Sequence, residues 1–389
     1  MAGNEGLSAA AKAKEDEFYT QLTDIEKELR YYRQHFHGKT VLCNCDDPFE
    51  SNFFKYFVLN FNRLGLKKLI ATCYASSSIM GNQFKYHVDN SGQMSFFFNN
   101  EGITFASRPY KAVVTQVYDK TGNGEISMLD VAELFKSGEN ELIELTGDGD
   151  FRSPECVALL EEADIVVTNP PFSLFREYMN MLIKHHKKFL IIGNQNAIKY
   201  RDIFPLFMRN EIWLGYRNGD MSFTVPDYYE PRETRYWQDE NGQKWRSLGN
   251  ICWFTNLDIK KRHEEIILVK RYIPEDYRKF DNYDAIIVDK VADIPCDYNG
   301  IMGVPITFMC SYNPEQFDIY GRTGNIEWAE SSECSFFTPP SEEKQRIYKK
   351  QNKTWRVQNG YYVTEDGIAH TVYDRLFIRN KHPEHYKEG

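Results

Sequence analysis

The chain has 389 residues, of which 42% are hydrophobic and 26% are charged, a composition typical of a globular protein with one large domain or two. Its formal net charge of -9 disfavours a nonspecific nucleic-acid coat, but it is compatible with a specific DNA enzyme because phosphates respond to local patches of charge. No apolar run approaches the roughly 20 residues that span a bilayer, so we expect no membrane partner.

The first part of the sequence alternates between helical and strand patterns. A helix is predicted over 9–33, a buried strand over 39–45, and a helix over 51–64 that ends at Gly65. A strand over 68–74 completes a strand–helix–strand unit. This unit requires a parallel crossover and therefore predicts a parallel sheet.

Residues 75–145 are predicted to be an insertion, with a hairpin in 84–98. The alternation then resumes, with predicted helices at 155–162, 173–186 and 197–208 and predicted strands at 163–168, 188–193, 211–215, 250–256 and 265–269. From about residue 276 the sequence is rich in loops and short strands. We therefore predict an α/β fold with a catalytic domain over 1–275 and a second, irregular region over 276–389.

The compartment is indicated by the N-terminus and the cysteines. Segment 1–27 has no apolar core and no cleavage-site pattern, so it is not read as a secretory signal. The eight cysteines are scattered, and no second pair or histidine pair lies at zinc-ligand spacing near Cys43 and Cys45. We expect buried, reduced thiols in a cytoplasmic protein, and no metal site built on cysteine.

The main candidate for a catalytic site is Asn169-Pro170-Pro171-Phe172, at the end of a predicted buried strand. Ligands of open α/β sheets bind at this edge. The prolines have no N–H to donate and keep Asn169 out of the helical region, so carbonyls and the Asn169 oxygen are left as acceptors. Two acceptors can orient an exocyclic amine toward a methyl donor, and Phe172 offers a flat face to a heteroaromatic ring. The alternative is a helix N-cap at Asn169 followed by proline.

A second constellation is the glycine-containing turn over 146–151. The carboxylates of Asp148 and Asp150 can accept hydrogen bonds from hydroxyl or amino groups. Asp150 and Phe151 could together grip an adenine ring by a hydrogen bond and by stacking. The alternative is an acidic turn that precedes a helix.

A third constellation follows the first predicted strand, where a nucleotide-like cofactor usually lies. It is the loop 43–49, which lacks the usual Gly-x-Gly. Asp46 or Asp47 could hold the ammonium group of a cofactor that carries an amino acid. An ordinary strand-to-helix turn is the alternative.

The segment 119–130 fits the spacing of a calcium-binding EF-hand loop. Its ligand positions hold Asp119, Thr121, Asn123 and Ser127, and the last position holds Asp130 in place of the usual glutamate. Calcium binding would be weak at best. A purely structural turn is the favoured interpretation, and we assign no metal ion to the protein.

Basic and aromatic residues are concentrated in 344–387. They include Lys344, Arg346, Lys349, Lys350, Lys353, Trp355, Arg356, Arg375, Arg379 and Lys381. This pattern is compatible with a nucleic-acid surface and equally with a solvated polar face.

Several blocks of the sequence resemble those of the EcoRI-type adenine-specific DNA methylases, over nearly the whole chain. The blocks are DEFYTQL at 16–22, CNCDDP at 43–48, GDGDFRS at 147–153, NPPFSLFR at 169–176, GIMGVPIT at 300–307 and NPEQF at 313–317. The resemblance implies a Rossmann-like methyltransferase fold that binds S-adenosylmethionine. It also implies a double-stranded DNA substrate whose adenine is flipped out of the helix.

The resemblance also assigns residues to roles. It gives the catalytic role to Asn169, Pro170, Pro171 and Phe172, and cofactor-binding roles to Phe18, Tyr19, Thr20, Cys43, Asn44, Asp46, Asp47, Pro48, Asp148, Asp150 and Phe151. The region from 276 onward would read the target sequence. The family implies a bacterial or phage-encoded protein, for which a cognate restriction endonuclease is compatible but not required.

Our mechanistic hypothesis is direct in-line transfer of a methyl group to the N6 amine of adenine. The rival readings are a protein glutamine-amide methyltransferase, a cytosine-N4 methyltransferase, and a non-enzymatic DNA- or calcium-binding module with a decayed methyltransferase core. Methylation at cytosine C5 is disfavoured, because it needs a nucleophilic cysteine and Cys296 lies far from the expected strand end.

Overall fold

The computed structural model describes residues 18–45, 48, 51–72, 109–226, 229–324, 334–352 and 355–384, and the backbone of 85–88 and 94–97. The chain divides into two compact units. The first comprises Met1–Ile203 and Leu214–Leu257, and the second comprises Phe204–Trp213 and Asp258–Gly389. Among the helices of the described ranges, none is long and apolar enough to cross a membrane.

The first unit contains a large mixed sheet flanked by helices. The strands of the first unit are β1 (Tyr19–Thr20), β2 (Thr40–Cys43), β3 (Lys68–Thr72), β4 (Lys85–Val88), β5 (Met94–Phe97), β6 (Tyr110–Val114), β7 (Glu141–Glu144), β8 (Ile165–Thr168), β9 (Lys188–Asn194), β10 (Trp213–Thr224), β11 (Tyr236–Gln238) and β12 (Lys244–Thr255). Its α-helices are α1 (Leu22–Leu29), α2 (Arg33–Phe36), α3 (Asn52–Leu59), α4 (Phe61–Leu64), α5 (Met128–Lys136), α6 (Pro154–Glu162) and α7 (Phe175–Lys184). Short 3-10 helices span Phe172–Leu174 and Gln195–Lys199.

The order of the described strands in the large sheet is β1-β10-β12-β9-β8-β2-β3-β6-β7, with β11 paired to β12. The central strands β3, β2, β8 and β9 run parallel, which confirms the predicted crossover. Strands β2 and β8 are buried along their whole length, as expected of parallel strands covered on both faces. Strands β4 and β5 form the predicted antiparallel pair in a separate small sheet.

Two helices of the first unit begin at serine caps, and one segment ends at a glycine. The Ser51 and Ser153 hydroxyls cap α3 and α6, and Pro154 occupies the first turn of α6. The predicted helix over 51–64 is interrupted at Asn60 and ends at Gly65, whose φ of 64° is the left-handed conformation that glycine adopts without strain.

Four predicted elements differ from the structure. The predicted helix 9–33 lies outside the described residues over 9–17. It is wrong at Tyr19–Thr20, because backbone pairing with Phe223 and Thr224 holds these residues as a strand, and the helix that follows is α1, which ends at Leu29. The range 197–208 is not one helix, since a 3-10 turn is followed by separate α8 (Phe204–Met208). Residues 265–269 form no strand, and Ile267 is 86% exposed. Within 75–145, β6 joins the main sheet antiparallel to β3, and β7 pairs antiparallel with β6, so this range adds two strands to that sheet.

The second unit is built from short strands, as the sequence predicts for its last part. Besides α8 it contains α9 (Glu342–Gln351) and strands β13 (Ile286–Ile287), β14 (Met302–Pro305), β15 (Phe317–Arg322), β16 (Tyr361–Val363), β17 (Ala369–Thr371) and β18 (Arg375–Asn380). Strands β13-β14-β18-β15 form one sheet, and β16 pairs with β17. Its core includes Phe280, Tyr283 and Phe377, whose rings contact one another.

Candidate active site

The candidate site lies at the carboxyl ends of β2 and β8. Strand β2 has β3 on one side and β8 on the other, so the strand order reverses between them. Ligands of open α/β sheets bind at such a reversal, outside the carboxyl ends of the strands. Leu42 is level with Val166 in the register, which places the Asn44 and Asn169 positions at the same edge of the sheet.

Asn169 is buried, and its amide group is oriented by the chain itself. Its Nδ2 donates a 2.6 Å hydrogen bond to the carbonyl oxygen of Phe18. A carbonyl can only accept, so the amide nitrogen must face Phe18 and the Oδ1 atom must face the other way. That Oδ1 atom is buried and has no hydrogen-bond partner among the residues that the structure describes. The arrangement leaves one fixed acceptor that a bound donor can use.

The helix N-cap interpretation of Asn169 is wrong. The 3-10 helix after it has Pro171 as its N-cap, and α7 has Leu174, with no side-chain capping bond in either case. Asn169 therefore caps neither of these helices.

Three aromatic rings pack around Phe18, the residue whose carbonyl accepts from Asn169. The Phe18 ring stacks on Phe172 with centroids 5.5 Å apart and planes inclined by 25°. Phe223 lies 5.6 Å from Phe18 and 6.3 Å from Phe172, and Tyr229 lies 6.0 Å from Phe18. Phe18 thus lies against one face of Phe172, so a heteroaromatic ring that stacks on Phe172 must use its other face or displace Phe18.

The segment 18–20 is held at this edge by backbone contacts. Tyr19 pairs with Thr224, and the Thr20 carbonyl accepts a 2.8 Å hydrogen bond from Asn52 Nδ2. The Thr20 hydroxyl is buried and, within the described ranges, has no hydrogen-bond partner. A second unpaired polar atom is therefore present at the edge where the sequence predicts a cofactor.

Tyr178, on α7, connects two of the predicted cofactor segments, and sequence reasoning missed it. Its hydroxyl donates to Asn44 Oδ1, and its ring meets Phe151 edge-on with centroids 5.1 Å apart. The side chain is fully buried, and this burial raises the pKa of its phenol well above the ordinary value. A signal was available, because Tyr178 is the residue with a polar group on the buried apolar stripe Phe175, Met179, Leu182.

The carboxylates of the acidic turn over 146–151 form hydrogen bonds with residues next to them in the chain. Arg152 donates to both carboxylate oxygens of Asp150, at 2.9 and 2.6 Å, and these hydrogen bonds lower the pKa of Asp150. Asp148 accepts from the Asp150 backbone N–H. Phe151 is buried, and the Arg152 guanidinium lies 5.2 Å from its ring centroid. The turn is therefore rigid, with Phe151 packed toward Tyr178.

The remaining predicted cofactor residues come from the loop after β2. Cys43 is buried at the end of the strand, and Pro48 is also buried. The predicted ligands Asp46 and Asp47 lie outside the residues that the structure describes. Among the described cysteines, the expected burial holds for Cys43, Cys156, Cys252, Cys296 and Cys334, whereas Cys45 and Cys310 are only partly buried.

In the EF-hand-like segment, 119–130, the carboxylates at the first and last ligand positions accept hydrogen bonds from the segment's own backbone. Asp119 accepts from the N–H groups of Gly122, Asn123 and Gly124, and Asp130 accepts from Thr121 and Ser127. Burial opposes ionisation of Asp130, but these hydrogen bonds lower its pKa to about 2. Over the described ranges, no cluster of three or more histidine, cysteine or acidic side chains could hold a metal.

Several of the C-terminal basic residues are neutralised locally. Lys344 pairs with Asp281, and the other pairs are Arg346 with Glu342, Arg375 with Asp289, and Lys381 with Asp318. Trp355 packs against Tyr348 rather than standing free. These contacts favour a structured polar face for much of this segment.

Comparison with known proteins identifies the family to which the chain is similar. The family model described as "Adenine-specific methyltransferase EcoRI" matches residues 6–381. The chain is 46% identical over 343 residues to the type II methyltransferase M.EcoRI of Escherichia coli, covering 86% of this chain and 95% of that protein. It is 38% identical over 328 residues to M.MgeORF184P of Mycoplasma genitalium and 36% identical over 325 residues to M.MpnI of Mycoplasma pneumoniae. Each of these covers 82% of this chain and 86% of the relative, and no solved structure matches the chain.

Proposed function

We propose a residue-level mechanism from the premise that this chain belongs to the EcoRI family of adenine-specific methyltransferases. The protein is a DNA adenine methyltransferase, and membership of this family implies S-adenosylmethionine as the methyl donor. The family's specificity for adenine disfavours the glutamine-amide and cytosine-N4 alternatives. The named relatives are type II methyltransferases, and we propose the same class for this protein, with or without a cognate nuclease.

The first unit is proposed to be a Rossmann-like methyltransferase core. The parallel strands β3-β2-β8-β9 and the reversal of strand order at β2 support this assignment. The region 276–389 is proposed to read the DNA target. Its irregular loops and short strands are suited to displaying side chains to base edges.

The cofactor is proposed to lie across the carboxyl ends of β2 and β8. When bound, it supplies an electrophilic methyl group on a sulfonium. Phe18, Tyr19 and Thr20 would cover one end of the site, and the unpaired Thr20 hydroxyl fits a polar cofactor group. The segments at 43–48 and 148–151 would line the rest, through Cys43, Asn44, Asp46, Asp47, Pro48, Asp148, Asp150 and Phe151.

Tyr178 is proposed to set the geometry of these segments. Its hydroxyl holds Asn44 and its ring supports Phe151, so one buried side chain fixes two segments that are about a hundred residues apart in the chain. The EF-hand-like segment is proposed to be structural, because the carboxylates of Asp119 and Asp130 are already satisfied.

Asn169 is proposed to hold the amine that is methylated. The adenine N6 amine has two N–H donors, which Asn169 Oδ1 and the Pro170 carbonyl can accept. These acceptors aim the nitrogen and favour the positive charge that develops on it as it bonds to the methyl carbon. The nitrogen then loses a proton to solvent. Phe172 would stack on the flipped base, and extruding that base costs a few kcal/mol that pocket contacts must offset.

The observation that carries this proposal is the buried, unpaired Oδ1 of Asn169, fixed by the Phe18 carbonyl. The test is Asn169→Ala, measured by transfer of labelled methyl groups to DNA adenine. By analogy with the loss of one fixed polar contact to a transition state, kcat should fall by about 10² to 10³. Binding of S-adenosylhomocysteine should remain largely intact.

The matched control is Asn140→Ala. Asn140 is also a buried asparagine, but it bonds the backbone of Thr115 and Gln116 beside β6. It should lower the free energy of unfolding without a comparable loss of kcat. If Asn169→Ala methylates DNA at nearly the wild-type rate, the proposed mechanism is wrong.

A further inference from the structure

A concave surface of the first unit is lined by four cations and one acid. Helices α1 and α2 and helices α3 and α4 border a concavity of about 380 Å³. Its lining residues are Glu26, Lys27, Arg30, Arg33, Tyr56, Asn60 and Arg63. In a chain whose acidic residues outnumber its basic ones by 56 to 47, this is a local inversion of charge.

The pairing of these four cations bears on what the concavity can bind. Within the part of the chain that the structure describes, Lys27, Arg30, Arg33 and Arg63 form no ion pair with a carboxylate. Lys120 and Lys136, by contrast, are paired with Glu139 and Glu133. Four cations around a concavity with a single carboxylate, Glu26, leave an excess of positive charge, and a bound anion would reduce the repulsion among them.

A tyrosine adds a hydroxyl to this surface. Tyr56 is 4% exposed. Burial raises the pKa of its phenol, and the neighbouring guanidinium groups of Arg33 and Arg63 oppose that increase. A phenol hydroxyl is protonated near neutral pH, so Tyr56 can donate a hydrogen bond to an anion.

We propose that this concavity, called here the basic pocket (Lys27, Arg30, Arg33, Tyr56, Arg63), binds a phosphate group. Guanidinium groups present paired N–H donors that match phosphate oxygens, and a tyrosine hydroxyl adds a neutral donor. The phosphate can come from the DNA backbone or from a small phosphate compound, and both present the same oxygens.

The basic pocket is separate from the methyl-transfer site. Asn52, which bonds the Thr20 carbonyl, begins α3, and Arg63 lies at the far end of α4. The eight residues of α3 alone span roughly 12 Å along the helix axis, and α4 follows only after the interruption at Asn60. A phosphate held by DNA in the pocket would therefore belong to a segment away from the target base and would carry no sequence information.

The test compares Arg33→Gln/Arg63→Gln with the control Lys120→Gln/Lys136→Gln, which removes the same charge from ion-paired positions. DNA affinity is measured over a range of salt on duplexes with and without a methylatable site. Each lost phosphate contact should reduce the steepness of the plot of log affinity against log salt by about 0.9, so the pocket variant, which loses one phosphate, should lose about 1. The loss should be equal on both duplexes, and kcat at saturating DNA should match the wild type.

A second arm identifies the source, using pyrophosphate and calorimetry in the absence of DNA. If the DNA slope falls in the pocket variant, the DNA backbone is the source. If the slope is unchanged but the wild type binds pyrophosphate and the pocket variant does not, the source is a small phosphate compound. If salt slope and pyrophosphate binding both match those of the control variant, the proposal is overturned. The DNA arm rests on the proposed function, whose failure would appear separately as absent methyl transfer in the wild type.

Discussion

Replacing Tyr178 by phenylalanine removes one hydroxyl and leaves the ring in place. In the structure that hydroxyl donates to Asn44 Oδ1 inside a fully buried environment. The substitution leaves a buried acceptor without its donor, which costs about 1 to 3 kcal/mol. The ring still meets Phe151, so packing is retained.

If Asn44 positions the cofactor, part of this energy should appear as weaker cofactor binding. A loss of about 1 to 2 kcal/mol corresponds to a 5- to 30-fold increase in Kd for S-adenosylhomocysteine. Calorimetric titration measures that Kd. At saturating cofactor, kcat should change little, because Tyr178 is a positioning residue and touches no reacting atom.

The control is Tyr348→Phe in the second unit. Tyr348 is also fully buried, and its hydroxyl donates a 2.8 Å hydrogen bond to Thr371. Both variants should lower the free energy of unfolding, but only Tyr178→Phe should raise the Kd. Equal Kd values for the two variants would show that Tyr178 stabilises the fold without positioning the cofactor.

Three further substitutions test parts of the fold by chemical or thermal unfolding. Glu28→Ala should lower the free energy of unfolding by about 3 kcal/mol, because the buried carboxylate accepts from two backbone N–H groups of β10 and from the Tyr32 hydroxyl. An unchanged melting temperature would contradict this. Gly193→Ala should cost about 1 to 3 kcal/mol, since its Cβ would lie 2.3 Å from the packed ring of Phe175; wild-type stability would show that the ring yields. Asp130 is fully buried, and its pKa is lowered from 3.8 to about 2. Its ionised carboxylate therefore adds about 2 kcal/mol to the free energy of unfolding above pH 4, and this contribution is lost as the pH falls through 2. Asp130→Asn should abolish that pH-dependent part, and an unchanged acid-unfolding profile would refute the assignment.

The sequence determined the chemistry and the central architecture. The apolar runs at β2, β3, β8 and β9 predict strands because buried parallel strands are hydrophobic on both faces. The segment 169–172 predicts an amine-methylating site because its prolines and asparagine leave only acceptors. Such local rules act through neighbouring residues, so a sequence is enough to apply them.

The tertiary structure decided what depends on residues far apart in the chain. Tyr19–Thr20 form a strand because β10, about two hundred residues later, supplies the pairing partners, and this overrides the helical pattern of 9–33. The orientation of Asn169 follows from the Phe18 carbonyl, 151 residues away, and the link between Asn44 and Phe151 follows from Tyr178. Hydrogen bonds and ring contacts of this range arise only when the chain has closed on itself. The sequence by itself therefore determined which residues can do the chemistry, and only the folded chain decided which way they face.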